Sequence, residues 1–216
     1  ASTGIIACMK DLIIIGGFAP DNLHIDSRSY RRIIAADSGY DTAIRLGLKP
    51  DAVIGDFDST SRKSELIEHG YSPCPEDKDE TDAELAIMHS QSYDLIGGGE
   101  GRLDHTLSLF TVFRRYESPC IWYMRTDTVV SMKGVLCIEG NKGMHLSMFP
   151  LTEASVFTSG LKWNLNGEHL SSLFISLSNR LEEDKAMIRS DETIFIRFSP
   201  EDFENVRISI PDTTLR

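Results

Sequence analysis

Two aspartates, Asp56 and Asp58, stand two residues apart in the run VIGDFDST (53–60), directly after a short apolar stretch and a glycine. On an extended backbone alternate side chains point the same way, which would put both carboxylates on one face. Like charges that close oppose joint ionisation unless a cation or a proton offsets them. Hard oxygen ligands suit Mg²⁺, which takes one or two carboxylates and fills its remaining positions with water and substrate phosphate. The pair therefore reads as half of a metal and phosphate site.

Further residues of the right type recur along the chain. Asp37 ends the run RIIAAD, Thr81 and Asp82 open a helix-like segment, and GGGEGRLDH (97–105) joins a glycine run to Arg102, Asp104 and His105. Glycines let backbone N–H groups approach an anion, and a following helix offers its positive end. The planar fork of Arg102 suits transferring phosphate oxygens. Each has a plainer reading. Aspartates cap helices and form turns, a glycine run closes a turn, and a histidine at a helix start packs. Singly, the plain reading of an aspartate is the commoner one; the recurrence of G-D-x-D, T-D and R-x-D-H is harder to explain that way. In the second half, Trp163 lies in TSGLKWNLNGEHL (158–170). A strand tryptophan is ordinarily core, with Lys162 and Asn164 on the opposite face, yet an indole face can also hold a cationic or heteroaromatic ligand.

The elements that must position these groups change rhythm along the chain. Up to about residue 118, apolar runs at 12–17, 32–37, 51–56 and 93–99 alternate with helical segments at 40–47, 62–70, 82–90 and 104–116. Gly47 and Gly70 sit where helices end, and Thr81 with Glu84 has capping-box spacing. Such alternation predicts α/β structure, a mostly parallel sheet with helices on both faces, whose ligands bind beyond the carboxyl ends of the strands. That edge would collect Asp37, Asp56, Asp58 and the 97–104 loop, with Asp82 in reach. From about residue 120, short runs rich in β-branched and aromatic residues predict an antiparallel β-sandwich or barrel. The expected domains are 9–118 and 119–216, with Met9 a candidate start.

Composition sets the outer bounds. With 216 residues, 41% hydrophobic and 25% charged, the chain has the make-up of a soluble globular protein large enough for a real core. A formal net charge of −11 argues against nucleic acid or an anionic membrane as partner, and no apolar run is long enough to span a bilayer. Cys8, Cys74, Cys120 and Cys137 are scattered without a C-x-x-C pair, which reads as reduced thiols in a cytoplasmic protein.

Taken in order, AADSGYDTA, LKPDAVIGDFDS, DKDETDAELAI, GGGEGRLDHTL, SGLKWNL and SLSN resemble the thiamine pyrophosphokinase family, from about Ala35 to Asn179. The resemblance implies an α/β ATP-binding catalytic domain over 9–118 and a thiamine-binding β-sandwich over 119–216, usually in a homodimer. It implies transfer of a pyrophosphoryl group from ATP, as co-substrate, to the hydroxyl of thiamine, with Mg²⁺ and release of AMP. Carried onto this chain, it assigns Asp56, Asp58 and Asp82 to the metal and, with Arg102 and Asp104, to catalysis. Gly17, Asp37, Ser38, Gly39, Thr81, Gly98, Gly99 and Arg102 fall to the nucleotide, and Trp163, Ser178 and Asn179 to thiamine. Two departures stand out: Ser38-Gly39-Tyr40 replaces a glycine- or alanine-rich stretch, and Leu109 replaces an asparagine. Two other functions use parts of the same set: a thiamine or nucleotide sensor without turnover, and an unrelated Mg²⁺-dependent phosphohydrolase. The first has no need of a complete metal-phosphate set, and the second leaves SGLKWNL unexplained.

Overall fold

The computed structural model describes residues 9–75, 77–98 and 102–210. The chain is mixed α/β and divides into two compact units. The first runs through Pro119 and takes back Tyr123–Arg125; the second comprises Cys120–Trp122 and the chain from Thr126.

In the first unit, β1 (Lys10–Ile15), β2 (Tyr30–Ala36), β3 (Ala52–Ile54) and β4 (Tyr93–Ile96) lie in the order β4-β1-β2-β3, every pairing parallel. The central strand β1 carries Leu12, Ile13 and Ile14 with no exposed surface, the continuous apolar run that burial on both faces demands. Between the strands run α1 (Gly39–Arg45), α2 (Lys63–Glu68), α3 (Asp82–Ile87) and α4 (Leu103–Arg115). Gly39 lets α1 press on the sheet, because a Cβ there would lie 2.1 Å from the Ile14 carbonyl oxygen. Thr81 caps α3 by accepting the Glu84 N–H at 3.2 Å. The Glu84 carboxylate is buried and pairs with Arg115 at 2.5 Å, tying α3 to the end of α4.

The amino ends of these strands hold a second set of charges that serves the fold. Asp11, with no exposed surface, accepts hydrogen bonds from Arg31, Arg32 and Ser90. Burial opposes its ionisation, but these donors outweigh it and hold the carboxyl below the usual carboxylate range. The opposite edge is left for chemistry.

The second unit is antiparallel. It contains β6 (Thr128–Glu139), β7 (His145–Pro150), β8 (Ala154–Ser159), β9 (Asn166–Leu170), β10 (Ser176–Arg180), β11 (Lys185–Phe198), the short α5 (Pro200–Glu204) and β12 (Arg207–Ser209); the three-residue β5 (Ile121–Tyr123) spans the division between units. Two short apolar runs, TVVSM (128–132) and VLCIEG (135–140), join into the single strand β6, which passes through Gly134 at φ +90°. β11 pairs with β6 along one edge. On its other edge Met187–Ser190 pair with β8 and Ile194–Arg197 with β7, the change falling at an irregularity in register. Alternate residues of these strands, among them Ile138, Met148, Val156, Ile188 and Ile196, fill one apolar core.

Candidate active site

At the carboxyl ends of the parallel strands lies a cavity of about 510 Å³, lined, among the described residues, by the first unit. Gly17 and Phe18 after β1, Asp37 and Ser38 after β2, Asp56, Asp58 and Ser59 after β3, and Gly98 after β4 all face it. Lys78, Glu80, Thr81 and Asp82 enter from the start of α3, and Arg102, His105, Ser108 and Leu109 from α4.

Asp56 and Asp58 come together by a route other than strand alternation. β3 ends at Ile54, and the acids occupy a tight turn in which Phe57 adopts φ +63° and is 1% exposed. Phe57 packs with Ala35, Tyr40, Val53 and Leu66, so the core pins the residue between the acids. Asp56 Oδ1 accepts the Asp58 N–H at 3.1 Å, and Asp58 Oδ1 accepts the Ser59 hydroxyl at 2.7 Å. The floor of the turn is held by Asp41, which accepts hydrogen bonds from the side chains of Thr60 and Ser61.

Asp37 completes the group. It has a left-handed backbone, φ +45°, with its N–H donated to the Ile54 carbonyl at 2.8 Å. Non-glycine residues rarely adopt that conformation, and where they do the site often has a function. Carboxylate oxygens of Asp37, Asp56 and Asp58 lie within 4.8 Å of one another. Asp37 Oδ1 is buried with no hydrogen-bond partner. Burial first, then the charges of Asp82 and Asp58, push the Asp37 carboxyl above its ordinary range despite hydrogen bonds from Ser59 and Ser38. An unpartnered oxygen beside two more carboxylates fits a small divalent cation with oxygen ligands.

Asp82 lines the same cavity, but the three converging acids include Asp37 in its place. Lys78 Nζ forms an ion pair with Asp82 Oδ1 at 2.8 Å, and the carboxylate raises the lysine pKa and keeps it charged, while Asp82 Oδ1, like Asp37 Oδ1, is buried without a hydrogen bond of ordinary geometry. Lys78, like Phe18, Ser59 and Glu80, lines the cavity without being singled out by the sequence pattern, and its one local signal is its place four positions before the acid that opens α3. Arg102 and Asp104 lie at the start of α4, largely exposed, in a bidentate pair that holds the Asp104 carboxyl below its usual range. Arg102 borders the cavity while Asp104 does not. Gly39 also lies off the cavity, its role being the α1 contact, and Gly99 lies outside the described residues. Of the two departures, Tyr40 turns into the core and donates to Glu65 at 3.1 Å, whereas Leu109 packs behind Gly98, where an added Cβ would lie 2.9 Å from its Cδ1.

The second unit treats its three candidates differently. Trp163 is neither core nor strand: it lies in the loop between β8 and β9 and is 55% exposed. Lys162 and Asn164 beside it are exposed too, so no alternation operates. The loop closes on itself through Thr158 and Leu165, whose backbone N–H groups each bond within the pair at 2.8 Å. Ser178 is exposed at φ +52°, in the irregularity of the β10–β7 pairing, with its N–H on Ser147 Oγ at 3.1 Å. Asn179, expected to meet a ligand, is instead 1% exposed with its amide turned to the Trp163 backbone.

Comparison with known proteins supplies the remaining findings. A family model described as thiamin pyrophosphokinase, catalytic domain, matches residues 26–122, and one described as thiamin pyrophosphokinase, vitamin B1 binding domain, matches residues 134–195. Thiamine pyrophosphokinase 1 of Arabidopsis thaliana is 29% identical over 196 residues, covering 80% of this chain and 72% of that protein. Its namesake in Oryza sativa subsp. japonica is 27% identical over 180 residues, covering 70% and 66%. Among solved structures, a thiamin pyrophosphokinase family protein from Enterococcus faecalis superposes with a TM-score of 0.70 at 21% identity, covering 88% of this chain and 98% of that one. The thiamin pyrophosphokinase from Geobacillus thermodenitrificans gives 0.66 at 23% identity, covering 95% and 99%.

Proposed function

Because the chain belongs to the thiamin pyrophosphokinase family, we propose that its first unit holds ATP with a divalent metal ion and that its second unit takes thiamine. The enzyme transfers the pyrophosphoryl group of ATP to the hydroxyl of thiamine, giving thiamine diphosphate and AMP. The observation that carries the division of labour is the meeting of Asp37, Asp56 and Asp58 at the carboxyl edge of the parallel strands.

Those three acids would hold Mg²⁺, with Asp82 next to them, and the ion supplies charge neutralisation on the phosphate oxygens. Transfers of this kind depend on positioning and on electrostatic stabilisation more than on covalent chemistry by the protein. The glycine backbone at Gly17 and Gly98 admits the phosphates closely, the N-terminal end of α4 faces them, and Arg102 and Lys78 add positive charge. An acid left outside the metal shell accepts the hydroxyl proton of thiamine. Trp163 and Ser178 offer an aromatic face and a hydroxyl to the thiamine rings. The change of partner along β11 supports reading the second unit as a β-sandwich, one strand serving two layers. Exposed Leu173, Phe174, Ile175 and Leu177 support a homodimer, and the thiols of Cys74 and Cys137, neither of them in a disulfide, support a reducing, cytoplasmic setting.

Product analysis with ATP, thiamine and Mg²⁺ tests the reading. AMP should form only when thiamine is present. ADP or free phosphate as the main product would overturn the assignment.

A further inference from the structure

We propose that Asn179 is the residue that positions Trp163 for thiamine, acting through the loop backbone without touching the substrate. The proposal rests on the reading that Trp163 meets thiamine and explains how an exposed indole keeps one orientation.

A side chain that is 55% exposed is not fixed by packing alone, so its backbone must be held. Asn179 holds it from both sides. Its Nδ2 donates to the Trp163 carbonyl at 2.8 Å, and its Oδ1 accepts the Trp163 N–H at 3.3 Å. The same oxygen accepts the Arg180 N–H at 2.9 Å, which fixes the amide to its own strand. At 1% exposure these bonds form away from water, where a lost partner is expensive to leave unreplaced.

The chemistry selects the side chain. One carbonyl and one N–H of the same residue must be met by one donor and one acceptor on a short stem, and asparagine provides both. A carboxylate in its place would set an oxygen against the Trp163 carbonyl in a buried site. The neighbouring strand adds support. Lys162 donates its N–H to the Arg180 carbonyl at 2.9 Å, and Leu161 bridges to Leu181. The charged ends of Lys162 and Arg180 then stand 5.0 and 5.9 Å from the centre of the indole ring. Residues 161–163 thus follow 179–181, with the Asn179 amide as the link that reaches Trp163 itself.

A double-mutant cycle on the full-length enzyme tests this, with KM for thiamine, KM for ATP and kcat measured for wild type, Trp163→Ala, Asn179→Ala and the double variant. Trp163→Ala should raise the thiamine KM about tenfold. Asn179→Ala should raise it to a similar degree, leave kcat at saturation and the ATP KM within about twofold, and add little once the indole is gone. Acrylamide quenching gives a readout apart from activity. Trp122 is 2% exposed, so the accessible emission belongs to Trp163 and should change in Asn179→Ala. If Trp163→Ala leaves the thiamine KM unaltered, the reading of Trp163 fails and the proposal goes with it. If Trp163→Ala raises KM but Asn179→Ala does not, or the two effects simply multiply, the positioning role alone is overturned. Should Asn179→Ala not fold, Asn179→Ser takes its place in the cycle; failure of both to fold would make the residue a stability element and end the proposal.

Discussion

Asp56 accepts the backbone N–H of Asp58, so the first acid of the turn fixes where the second one points. The charge and the hydrogen bond of Asp56 are separable, because an amide oxygen can accept the same N–H. Asp56→Asn should therefore keep the turn and the thiamine affinity while turnover falls about a hundredfold or more, the usual scale for losing one charge-stabilising group. Steady-state kinetics at saturating Mg²⁺, with thiamine binding measured by calorimetry, decide it. Near-wild-type turnover would reduce Asp56 to a turn residue.

Lys78 sits among Asp37, Asp56, Asp58, Glu80 and Asp82 at the cavity wall. Its removal makes the site more negative, with opposite effects on the two charged ligands. Lys78→Met should weaken ATP binding several-fold and lower the Mg²⁺ concentration needed for half-maximal activity, on the scale of about 1 kcal/mol for one partly screened charge. Titrations of each ligand against a fixed excess of the other measure both. Shifts in the same direction would show that Lys78 does not act through charge.

Asp11 gives the pH dependence its acid limb. Its folded carboxyl lies below the unfolded value of 3.8, so its contribution is fully present above that pH and is lost as pH falls through the lower folded value. Melting curves from pH 7 down to about pH 2 should show Asp11→Asn less stable than wild type at neutral pH, with the gap closing below about pH 4. A constant gap would assign the cost to packing instead.

The exposed run from Leu173 to Leu177 includes Leu173 at 94% exposure. The protein should sediment near twice its 24.2 kDa chain mass. Leu173→Glu, which removes no internal packing, should shift it toward the monomer. Wild-type enzyme sedimenting as a monomer at micromolar concentration would remove the homodimer.

Strand and helix positions in the first unit were legible because apolar runs and caps are local signals: β1, β2 and the Thr81 cap fall where the pattern predicts. The edge that gathers the acids followed from the parallel topology. What the pattern could not carry was tertiary. The left-handed turn through Phe57 depends on a core that brings Ala35 and Leu66 together, and the burial of Asn179 depends on a loop from another hairpin. For the same reason the rhythm around Trp163 leaves a core role and a ligand-holding role both open. Its neighbours Lys162 and Asn164 supply alternation on paper, while hydrogen bonds through Asn164 and Thr158 fold the segment into a loop. The Lys78–Asp82 pair was within reach of spacing alone.

The pairing of β11 also has a consequence for how the protein is made. Strands β6, β7 and β8 all hydrogen-bond to β11, yet β11 follows them in the chain and ends only at Phe198. During synthesis these strands emerge before the strand that joins them, and contacts between distant residues form slowly. The first unit, whose parallel strands and helices precede Pro119, can settle while its successor is still waiting on the ribosome for its central strand. A message cut short before Lys185 would leave β6, β7 and β8 without the strand that joins them, and such open edges recruit other strands.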